Sequence, residues 1–418
     1  MHKRILWLCN TTPSYILRKE NLLSSNFGGW LDLMCEKLVD DQNIDFCVVS
    51  PGKYNSYKIS DEYTYCTFSN LNISNFFKKV LETFSPDIIH IWGTEYKHTM
   101  IMTEVAKQIN IINRCVISIQ GLTSVIGKYH YLEGIPNEWI HKYTLRDFIK
   151  FDNLYRQKNK FLIKGDFEKQ ALLNVKNVIG RTDWDKAVVS EINPSLNYYF
   201  CNESLRSSFY TKKWDKNNIE PYSIFVSQCS YPVKGFHYML EAFPEILKHY
   251  PDAHLYTTGI DLIHLNINNK IKLTTYQKYL IHLINKYSLN EKITFLGNLS
   301  AEEMCEQYLK TNVFVSPSTI ENSSNSIGEA MILGCPVISS DVGGIKNLLL
   351  HEKEGFIYQS TAPYMISYYV KKLFSDKKIA EYISINSRKH AIETHDSENN
   401  LKQLIRIYDE LLKKQEDF

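Results

Sequence analysis

Short apolar runs alternate with helix-like segments along nearly the whole chain, and this alternation constrains the fold more than any other feature. Strands that alternate with helices usually pair in parallel, because each crossover returns the chain to the same end of the sheet. The predicted strands are Ile5–Cys9, Phe46–Ser50, Ile88–Trp92, Val116–Ile119, Ile224–Ser227, His254–Thr258, Ile293–Leu296, Val313–Ser316 and Val337–Ser339. The alternation therefore predicts an α/β fold with parallel sheets.

Helical segments fill the gaps between these strands. They are predicted over Gly29–Val39 and Thr99–Ile109, from starts near Gly235, Thr275, Ala301 and Ser326, and as two tail helices that break near Asp396. A chain of 418 residues is too long for one ordinary core, so we expect two domains. The polar stretch Arg206–Tyr222 is the best boundary between them. We predict a Rossmann-like N-terminal domain over 1–210 and a Rossmann-like C-terminal domain over 211–395, with the active site in the crevice between them.

The composition is that of an ordinary soluble protein, with 44% apolar and 22% charged residues. A net charge of +2 argues against a nucleic-acid partner, whose binding needs a larger basic surface. The nine cysteines form no C-x-x-C pair, which favours reduced, buried thiols in a cytoplasmic protein. The apolar run before Asn10 is too short for a signal peptide, and no apolar stretch approaches the roughly 20 residues of a membrane span.

The segment from Val313 to Leu349 is the most informative for function. A strand is followed by a polar loop, a helix and a second strand, with Glu321 in the loop and Glu329 in the first turns of the helix. Ligands of doubly wound sheets bind at this position, beyond the carboxyl end of a strand. A helix N-terminus attracts phosphate, and carboxylates can accept hydrogen bonds from sugar hydroxyls. The combination predicts a nucleotide-sugar site. A competing interpretation makes Ser326 and Glu329 an S-x-x-E capping box and Glu321 a solvated loop residue.

This segment resembles the donor-binding signature of retaining glycosyltransferases of family 4, which have the GT-B fold. The matching residues are Glu321, Glu329, Ala330, Met331, Gly334, Pro336, Val337, Ile338, Ser340, Asp341, Gly343 and Gly344. The resemblance implies that Glu321 lies near the transferred sugar and that Glu329 binds the ribose hydroxyls. It also implies that the last helix, residues 396–418, crosses back to the N-terminal domain. A softer similarity to bacterial enzymes that build surface polysaccharides extends over Gly180–Tyr210.

A second motif of that family follows the first strand of the C-terminal half. Lys234 matches a lysine that neutralises the donor diphosphate, and Gly235 matches the opening of the next helix. Fixed positive charge is most effective there, because negative charge grows on the leaving group in the transition state. The family's arginine is replaced by Gln228, which donates hydrogen bonds without a charge. We expect Lys234 to take part in catalysis and Gln228 and Gly235 to contact the donor.

Four positions in the N-terminal half are also expected to contact substrate. Gly28 and Gly29 match glycines that face the donor or acceptor, although a plain helix entry explains them equally well. Gln120 stands where family members often carry a histidine near the transferred sugar, and we place it among the catalytic residues. His90, at the end of a strand, is a candidate acceptor-binding residue, with a buried core histidine as the alternative.

The remaining donor contacts follow from the strand order and the resemblance. We expect the phosphates at the helix start, which comprises Ser323, Ser324, Asn325 and Ser326, and the base near Asn298 and Leu299. Arg181 is a candidate acceptor contact. The neighbouring Asp183 and Asp185 form a D-x-D, which we interpret as structural. No metal and no cofactor is expected, because Lys234 and the helix terminus supply the positive charge.

The segment between His141 and Gln170 is basic and amphipathic. It contains eight Lys or Arg and four acidic residues, with Phe148, Phe151, Tyr155 and Leu162 at helical spacing. Such a segment can lie on an anionic membrane surface, but a core-facing helix with a solvated basic side is the commoner explanation. The first alternative would suit a lipid-linked acceptor and a peripheral position on the inner face of the membrane.

Together with these motifs, the resemblance implies a retaining hexosyltransferase. It would move a sugar from a nucleotide-diphosphate donor, with UDP as the favoured nucleotide, to a glycan or lipid-linked acceptor in polysaccharide biosynthesis. Two alternatives stay open at this point. A nucleotide-sugar epimerase can share the fold, and a non-catalytic sugar-nucleotide-binding subunit would explain the replacements at Gln120 and Gln228.

Overall fold

The computed structural model of the protein describes residues 2–22 and 29–416. The chain forms two compact units. Unit 1 comprises Met1–Ser124, Ile163–Arg206 and Thr394–Phe418, and unit 2 comprises Val125–Leu162 and Ser207–Glu393. Residues 125–162, which the sequence assigned to the N-terminal domain, therefore pack in unit 2, and the end of the chain packs in unit 1.

Fourteen strands are present in the described residues. They are β1 (Lys3–Cys9), β2 (Ile44–Pro51), β3 (Ser56–Ile59), β4 (Thr64–Phe68), β5 (Ile88–Trp92), β6 (Cys115–Ser118), β7 (Asn177–Gly180), β8 (Asn197–Phe200), β9 (Ser223–Val226), β10 (His254–Thr257), β11 (Ile293–Phe295), β12 (Val313–Ser316), β13 (Val337–Ser340) and β14 (Phe356–Tyr358). All nine predicted strands are confirmed within one or two residues at each end. The sequence analysis missed β3, β4, β7, β8 and β14.

The helices begin and end at the following residues. They are α1 (Ser14–Lys19), α2 (Asp32–Val39), α3 (Ile73–Phe84), α4 (Lys97–Gln108), α5 (Thr123–Val125), α6 (Asn137–Ile140), α7 (Leu145–Lys150), α8 (Leu154–Asn174), α9 (Asp183–Ile192), α10 (Phe236–His249), α11 (Ile267–Ile271), α12 (Thr275–Lys286), α13 (Ala301–Lys310), α14 (Asn325–Leu333), α15 (Ile345–Leu348), α16 (Pro363–Ser375), α17 (Lys377–Thr394) and α18 (Ser397–Glu416). Among the residues that the structure describes, no helix has the length and apolar character needed to cross a bilayer.

Unit 1 is built on an eight-stranded sheet with the order β3-β4-β2-β1-β5-β6-β7-β8. All neighbours pair in parallel except the edge hairpin of β3 and β4. Side chains of β1 alternate between the two faces, so Leu6 and Leu8 enter one core while Ile5 and Trp7 enter the other. Helix α18 covers the second face, and its Tyr408 hydroxyl accepts a hydrogen bond from Trp7 Nε1 at 2.9 Å.

Unit 2 is built on a six-stranded, fully parallel sheet with the order β11-β10-β9-β12-β13-β14. Strands β9, β12 and β13 are buried along their whole length, as expected for a sheet covered on both faces. The chain proceeds from β9 outward through β10 and β11 and then returns to form β12 on the other side of β9. The topological switch point of this sheet therefore lies between β9 and β12.

Candidate active site

The loops that follow β9 and β12 meet at the switch point of unit 2. The loop after β9 ends in a short 3₁₀ helix, Pro232–Lys234, and the loop after β12 carries Glu321. Thr319 N donates to the carbonyl oxygen of Val233 at 2.9 Å and joins the two loops. Because both strands are parallel, both loops lie at the carboxyl edge of the sheet, where doubly wound folds bind ligands.

Lys234 and Glu321 form an ion pair at this point, with 2.6 Å between Nζ and Oε1. The same carboxylate oxygen accepts a hydrogen bond from Ser318 Oγ at 2.8 Å. The lysine side chain is 30% exposed and the glutamate 11%, so the pair lies at the edge of solvent. The structure thus brings together two of the predicted catalytic residues, which are 87 positions apart in the chain.

Two glycines of the signature allow the backbone to pack closely around this pair. Gly235 has φ 63°, and a Cβ there would collide with the carbonyl oxygen of Pro317. Gly343 has φ 51°, and a Cβ there would collide with the carbonyl oxygen of Glu321. The neighbouring Gly344 N donates to that same oxygen at 3.0 Å. Glycine adopts such backbone angles at the least cost and has no Cβ to collide with these carbonyl oxygens, so the two glycines allow the loops of Lys234 and Glu321 to pack closely.

Helix α14 begins one residue earlier than predicted, and this excludes the capping-box interpretation. Its N-cap is Ser324, with no side-chain hydrogen bond to the helix, so Ser326 and Glu329 do not form the predicted box. Ser324 Oγ instead lies 3.1 Å from Ser326 Oγ. Ser323 and Asn325 are half-buried, and Glu329 is buried one turn into the helix. Glu329 therefore has no part in the predicted capping box, and its contact with the ribose stays a prediction.

The other predicted donor residues lie on loops at the same edge of the sheet. Gln228 is half-buried, two residues after β9. Asn298 is exposed and Leu299 half-buried after β11, in a turn that Gly259 N joins to Gly297 O at 3.0 Å. Strand β11 lies at the outer edge of the sheet, two strands from β9.

A segment that the sequence analysis did not single out also contacts this edge. Thr319 Oγ1 donates to the carbonyl oxygen of His130 at 3.0 Å, and Ser360 Oγ donates to Glu133 Oε1 at 3.3 Å. His130 Nδ1 lies 3.2 Å from Glu133 Oε2. His130 ends a π-helix, a conformation often found at functional sites. Since 189 positions separate His130 from Thr319, no local pattern could have indicated the contact.

Gln120 and Arg181 belong to a polar cluster inside unit 1. Both bind Glu203, Arg181 through Nη1 to Oε2 at 2.6 Å and Gln120 through Nε2 to Oε1 at 2.5 Å. Arg181 and Glu203 are buried, and burial raises the pKa of the Glu203 carboxyl although Arg181 opposes the shift. The expectation that Arg181 faces a ligand is therefore corrected, because its guanidinium compensates a buried carboxylate. The sequence analysis missed Glu203, which lacks any motif.

His90 and the D-x-D are structural. His90 is fully buried, with Nδ1 2.6 Å from Tyr408 Oη and Nε2 2.7 Å from Ser118 Oγ. Burial lowers its pKa to about 3, so it is a neutral core residue and not the predicted acceptor contact. Thr182 and Asp185 form the capping box of α9, which confirms the structural interpretation of the D-x-D.

Two predictions remain, one on the two glycines Gly28 and Gly29 and one on the absence of a bound metal. Gly28 lies outside the described residues, and Gly29 is half-buried shortly before α2. Within residues 2–22 and 29–416, no group of three His, Cys, Asp or Glu side chains is arranged to hold a metal ion. Metal independence stays a prediction.

Sequence comparison finds similarity to glycosyltransferases. Residues 207–390 match the family model described as glycosyl transferases group 1. An uncharacterized glycosyltransferase of Methanocaldococcus jannaschii is 29% identical over 185 residues, which are 44% of each chain. The capsular polysaccharide biosynthesis glycosyltransferase CapM of Staphylococcus aureus is 27% identical over 183 residues, again 44% of each chain. The chain therefore matches less than half the length of these curated relatives.

Structural comparison extends over nearly the whole chain. The crystal structure of Anabaena HepE in complex with UDP-glucose gives a TM-score of 0.66 at 15% identity, covering 98% of this chain and 100% of that chain. Identity this low supports the fold alone. The chain has the GT-B fold of glycosyltransferases, with two Rossmann-like parallel-sheet units, and its residues 207–390 match a glycosyl transferases group 1 domain.

Proposed function

We propose that the protein is a retaining glycosyltransferase that moves a hexose-type sugar from a nucleotide-diphosphate donor to an acceptor hydroxyl. UDP is the proposed nucleotide, and the UDP-glucose complex of the structurally similar HepE supports that choice. A glycan or lipid-linked acceptor in polysaccharide biosynthesis is proposed from the similarity to CapM. The Lys234–Glu321 ion pair at the switch point is the observation that carries the proposal.

Lys234 is proposed to hold the donor diphosphate. Lys234 lies two residues before the 14-residue helix α10. The N-terminus of a helix carries partial positive charge, so a lysine without an anionic partner is mildly disfavoured there. Glu321 supplies that partner. A diphosphate carries more negative charge than one carboxylate and can share the ammonium group, which has three donor hydrogens. The N-terminus of α14 would add partial positive charge from the neighbouring loop.

Glu321 and Glu329 are proposed to bind the carbohydrate parts of the donor. Ser318 and Lys234 both contact Oε1 of Glu321, and Oε2 would accept hydrogen bonds from the transferred sugar. Glu329 would accept hydrogen bonds from the ribose hydroxyls. Catalysis would then rest on stabilising the leaving diphosphate and on holding the reacting atoms in line. A cation fixed before the reaction stabilises the growing charge without reorganisation at the moment of transfer.

Glu321→Gln is the test of this mechanism. The substitution keeps the size of the side chain but removes the charge that holds Lys234, so we expect transfer from a UDP-sugar to fall by about 10²–10³-fold. The control is Glu245→Gln, which removes the carboxylate of another 2.6 Å Lys–Glu pair in the same unit, that with Lys248. Near-normal transfer by Glu321→Gln would remove Glu321 from the mechanism.

The two alternative functions make different predictions for the same assay. An epimerase would convert the nucleotide sugar in the absence of any acceptor, whereas a transferase would release nucleotide only slowly without one. A non-catalytic subunit would bind nucleotide with no turnover on any acceptor. The uncharged Gln228 and the engagement of Gln120 by Glu203 are the features that favour this last alternative. Calorimetry together with an acceptor panel separates the three cases.

The proposal also includes a peripheral position on the inner face of a membrane, where a lipid-linked acceptor would be available. The exposed apolar and basic residues between Lys142 and Arg156 support this part of it.

A further inference from the structure

Helix α7 and the turn after it expose a contiguous group of large apolar side chains, which we call the α7 patch. Its members are Leu145, Phe148, Ile149 and Phe151, which are between 56% and 66% exposed. Leu145, Phe148 and Ile149 lie at positions i, i+3 and i+4, so they share one side of the helix. The core-facing explanation offered by the sequence is therefore wrong for Phe148 and Phe151.

The opposite side of α7 is fixed to unit 2 by one buried carboxylate. Asp147 is fully buried and accepts hydrogen bonds from Thr275 N at 2.8 Å and from Thr275 Oγ1 at 2.5 Å. Thr275 is the first residue of α12, where a negative charge is stabilised by the helix terminus. Thr144 caps α7 by accepting a hydrogen bond from Asp147 N at 3.0 Å. The α7 patch is thus displayed on a firmly anchored helix.

The turn after α7 holds a further aromatic side chain in the patch. Phe151 adopts the left-handed conformation with φ 48°, which is uncommon for a large residue. Its ring stacks near that of Phe148 at 6.4 Å, and the guanidinium of Arg156 lies 5.0 Å above it. Arg156 Nε also donates to the Tyr143 hydroxyl at 3.3 Å. These contacts place aromatic rings beside cations at the protein surface.

The charge around the α7 patch is strongly positive. Residues 142–160 contain six Lys or Arg and two Asp. Both aspartates form ion pairs with basic residues of the same segment. Arg146 pairs with Asp147 and Asp152, and Lys160 also pairs with Asp152. The remaining four cations are Lys142, Lys150, Arg156 and Lys158. They give the segment that carries the α7 patch an excess of positive charge, and Arg156 lies directly against Phe151.

We propose that the α7 patch docks on an anionic lipid bilayer. Apolar and aromatic side chains enter the headgroup boundary, and flanking lysines and arginines bind anionic headgroups. Protein–protein interfaces are depleted in lysine, so a protein partner fits this surface less well. A symmetric contact between two copies would place the two positive clusters against each other, which is unfavourable. The proposal deepens the proposed function by placing its acceptor at a membrane.

Vesicle sedimentation tests the proposal without donor or acceptor, so its result is separate from that of the transfer assay. The intact protein should sediment with vesicles of phosphatidylcholine and phosphatidylglycerol, and weakly with phosphatidylcholine alone. Phe148→Ser/Ile149→Ser should lower the affinity about tenfold or more. The matched control is Ile59→Ser/Leu71→Ser, which removes two exposed apolar side chains from unit 1 and should change nothing.

A charge reversal and an insertion measurement complete the test. Lys150→Glu/Arg156→Glu should abolish the preference for anionic vesicles, whereas Lys248→Glu/Lys353→Glu should keep it. Phe148→Trp keeps an apolar side chain, and its fluorescence should be quenched by brominated acyl chains, unlike that of Ile59→Trp. Failure of the intact protein to bind anionic vesicles overturns the proposal, as does equal binding by the serine variants. Wild-type dimers that dissociate in Phe148→Ser/Ile149→Ser would assign the patch to a second copy instead.

Discussion

Two ion pairs of the same length differ in their exposure to solvent. Arg181 and Glu203 in unit 1, and Lys234 and Glu321 in unit 2, each have 2.6 Å between nitrogen and oxygen. The first pair is 5% exposed on both sides, whereas Lys234 is 30% exposed. A buried pair cannot lose a partner without leaving an uncompensated charge, but a partly exposed pair can exchange a partner for a ligand. Accessibility, and not bond length, therefore distinguishes the two pairs.

Breaking the buried pair should have the largest effect. Arg181→Ala leaves Glu203 buried without its cation, and we expect the free energy of unfolding to fall by about 3–5 kcal/mol. Urea denaturation measures this change. Arg181→Ala/Glu203→Ala should recover part of the loss, because neither charge is then left unpaired. A loss below about 1 kcal/mol for the single variant would contradict the structural role.

Breaking the exposed pair should affect activity and leave stability nearly unchanged. Lys234→Ala removes the cation that would face the leaving diphosphate, so nucleotide release during transfer should fall by about 10²–10³-fold. Its free energy of unfolding should change by no more than about 1 kcal/mol, as for other exposed pairs. Lys248→Ala is the control, because Lys248 belongs to an exposed pair with Glu245 at the same distance. Unchanged nucleotide release would refute the phosphate role of Lys234.

The buried interior of unit 1 should also respond to pH. Burial lowers the pKa of His90 to about 3, while an unfolded histidine titrates near 6.5. Between these values the unfolded chain binds one more proton, so stability falls as the pH falls. His90 should contribute a loss of roughly 2 kcal/mol between pH 6.5 and pH 5. His90→Gln should show a correspondingly weaker pH dependence in urea denaturation; an identical slope would contradict the assignment.

Chelation of metals should have the smallest effect. If Lys234 and the α14 terminus supply the positive charge for the diphosphate, EDTA should leave transfer unchanged. Loss of activity in EDTA that Mg²⁺ or Mn²⁺ restores would mean that the ion pair alone does not neutralise the leaving group.

The buried central strands were the easiest part of the fold to predict. Strands such as β1 and β12 are continuous apolar runs, because parallel strands covered on both faces require them. Three of the missed strands give a weaker or shorter signal. Strand β3 is largely exposed, β8 is only half-buried, and β14 has three residues. Residues 125–162 were misassigned because polar stretches mark boundaries along the chain, whereas packing in space decides which unit a segment joins.

For the site, the signature predicted that Lys234 and Glu321 follow two strands of the C-terminal half, and the structure confirms those positions. It could not show which polar residues elsewhere have buried partners. Arg181 and His90 looked like ligand contacts until their buried partners, Glu203, Tyr408 and Ser118, were located. Phe148 and Phe151 looked like core residues, yet both are exposed. Each of these outcomes depends on neighbours that sequence spacing does not reveal.

The sequence by itself determined the parallel α/β class and the loops that carry the Glu321 and Lys234 motifs. Hydrophobic periodicity and local motifs depend only on residues that are close together in the chain, so they can be read without the structure. Only the tertiary structure decided which charges meet, which are buried and which apolar side chains reach solvent. Those properties depend on contacts between residues far apart in the chain, such as the 87 positions that separate Lys234 from Glu321.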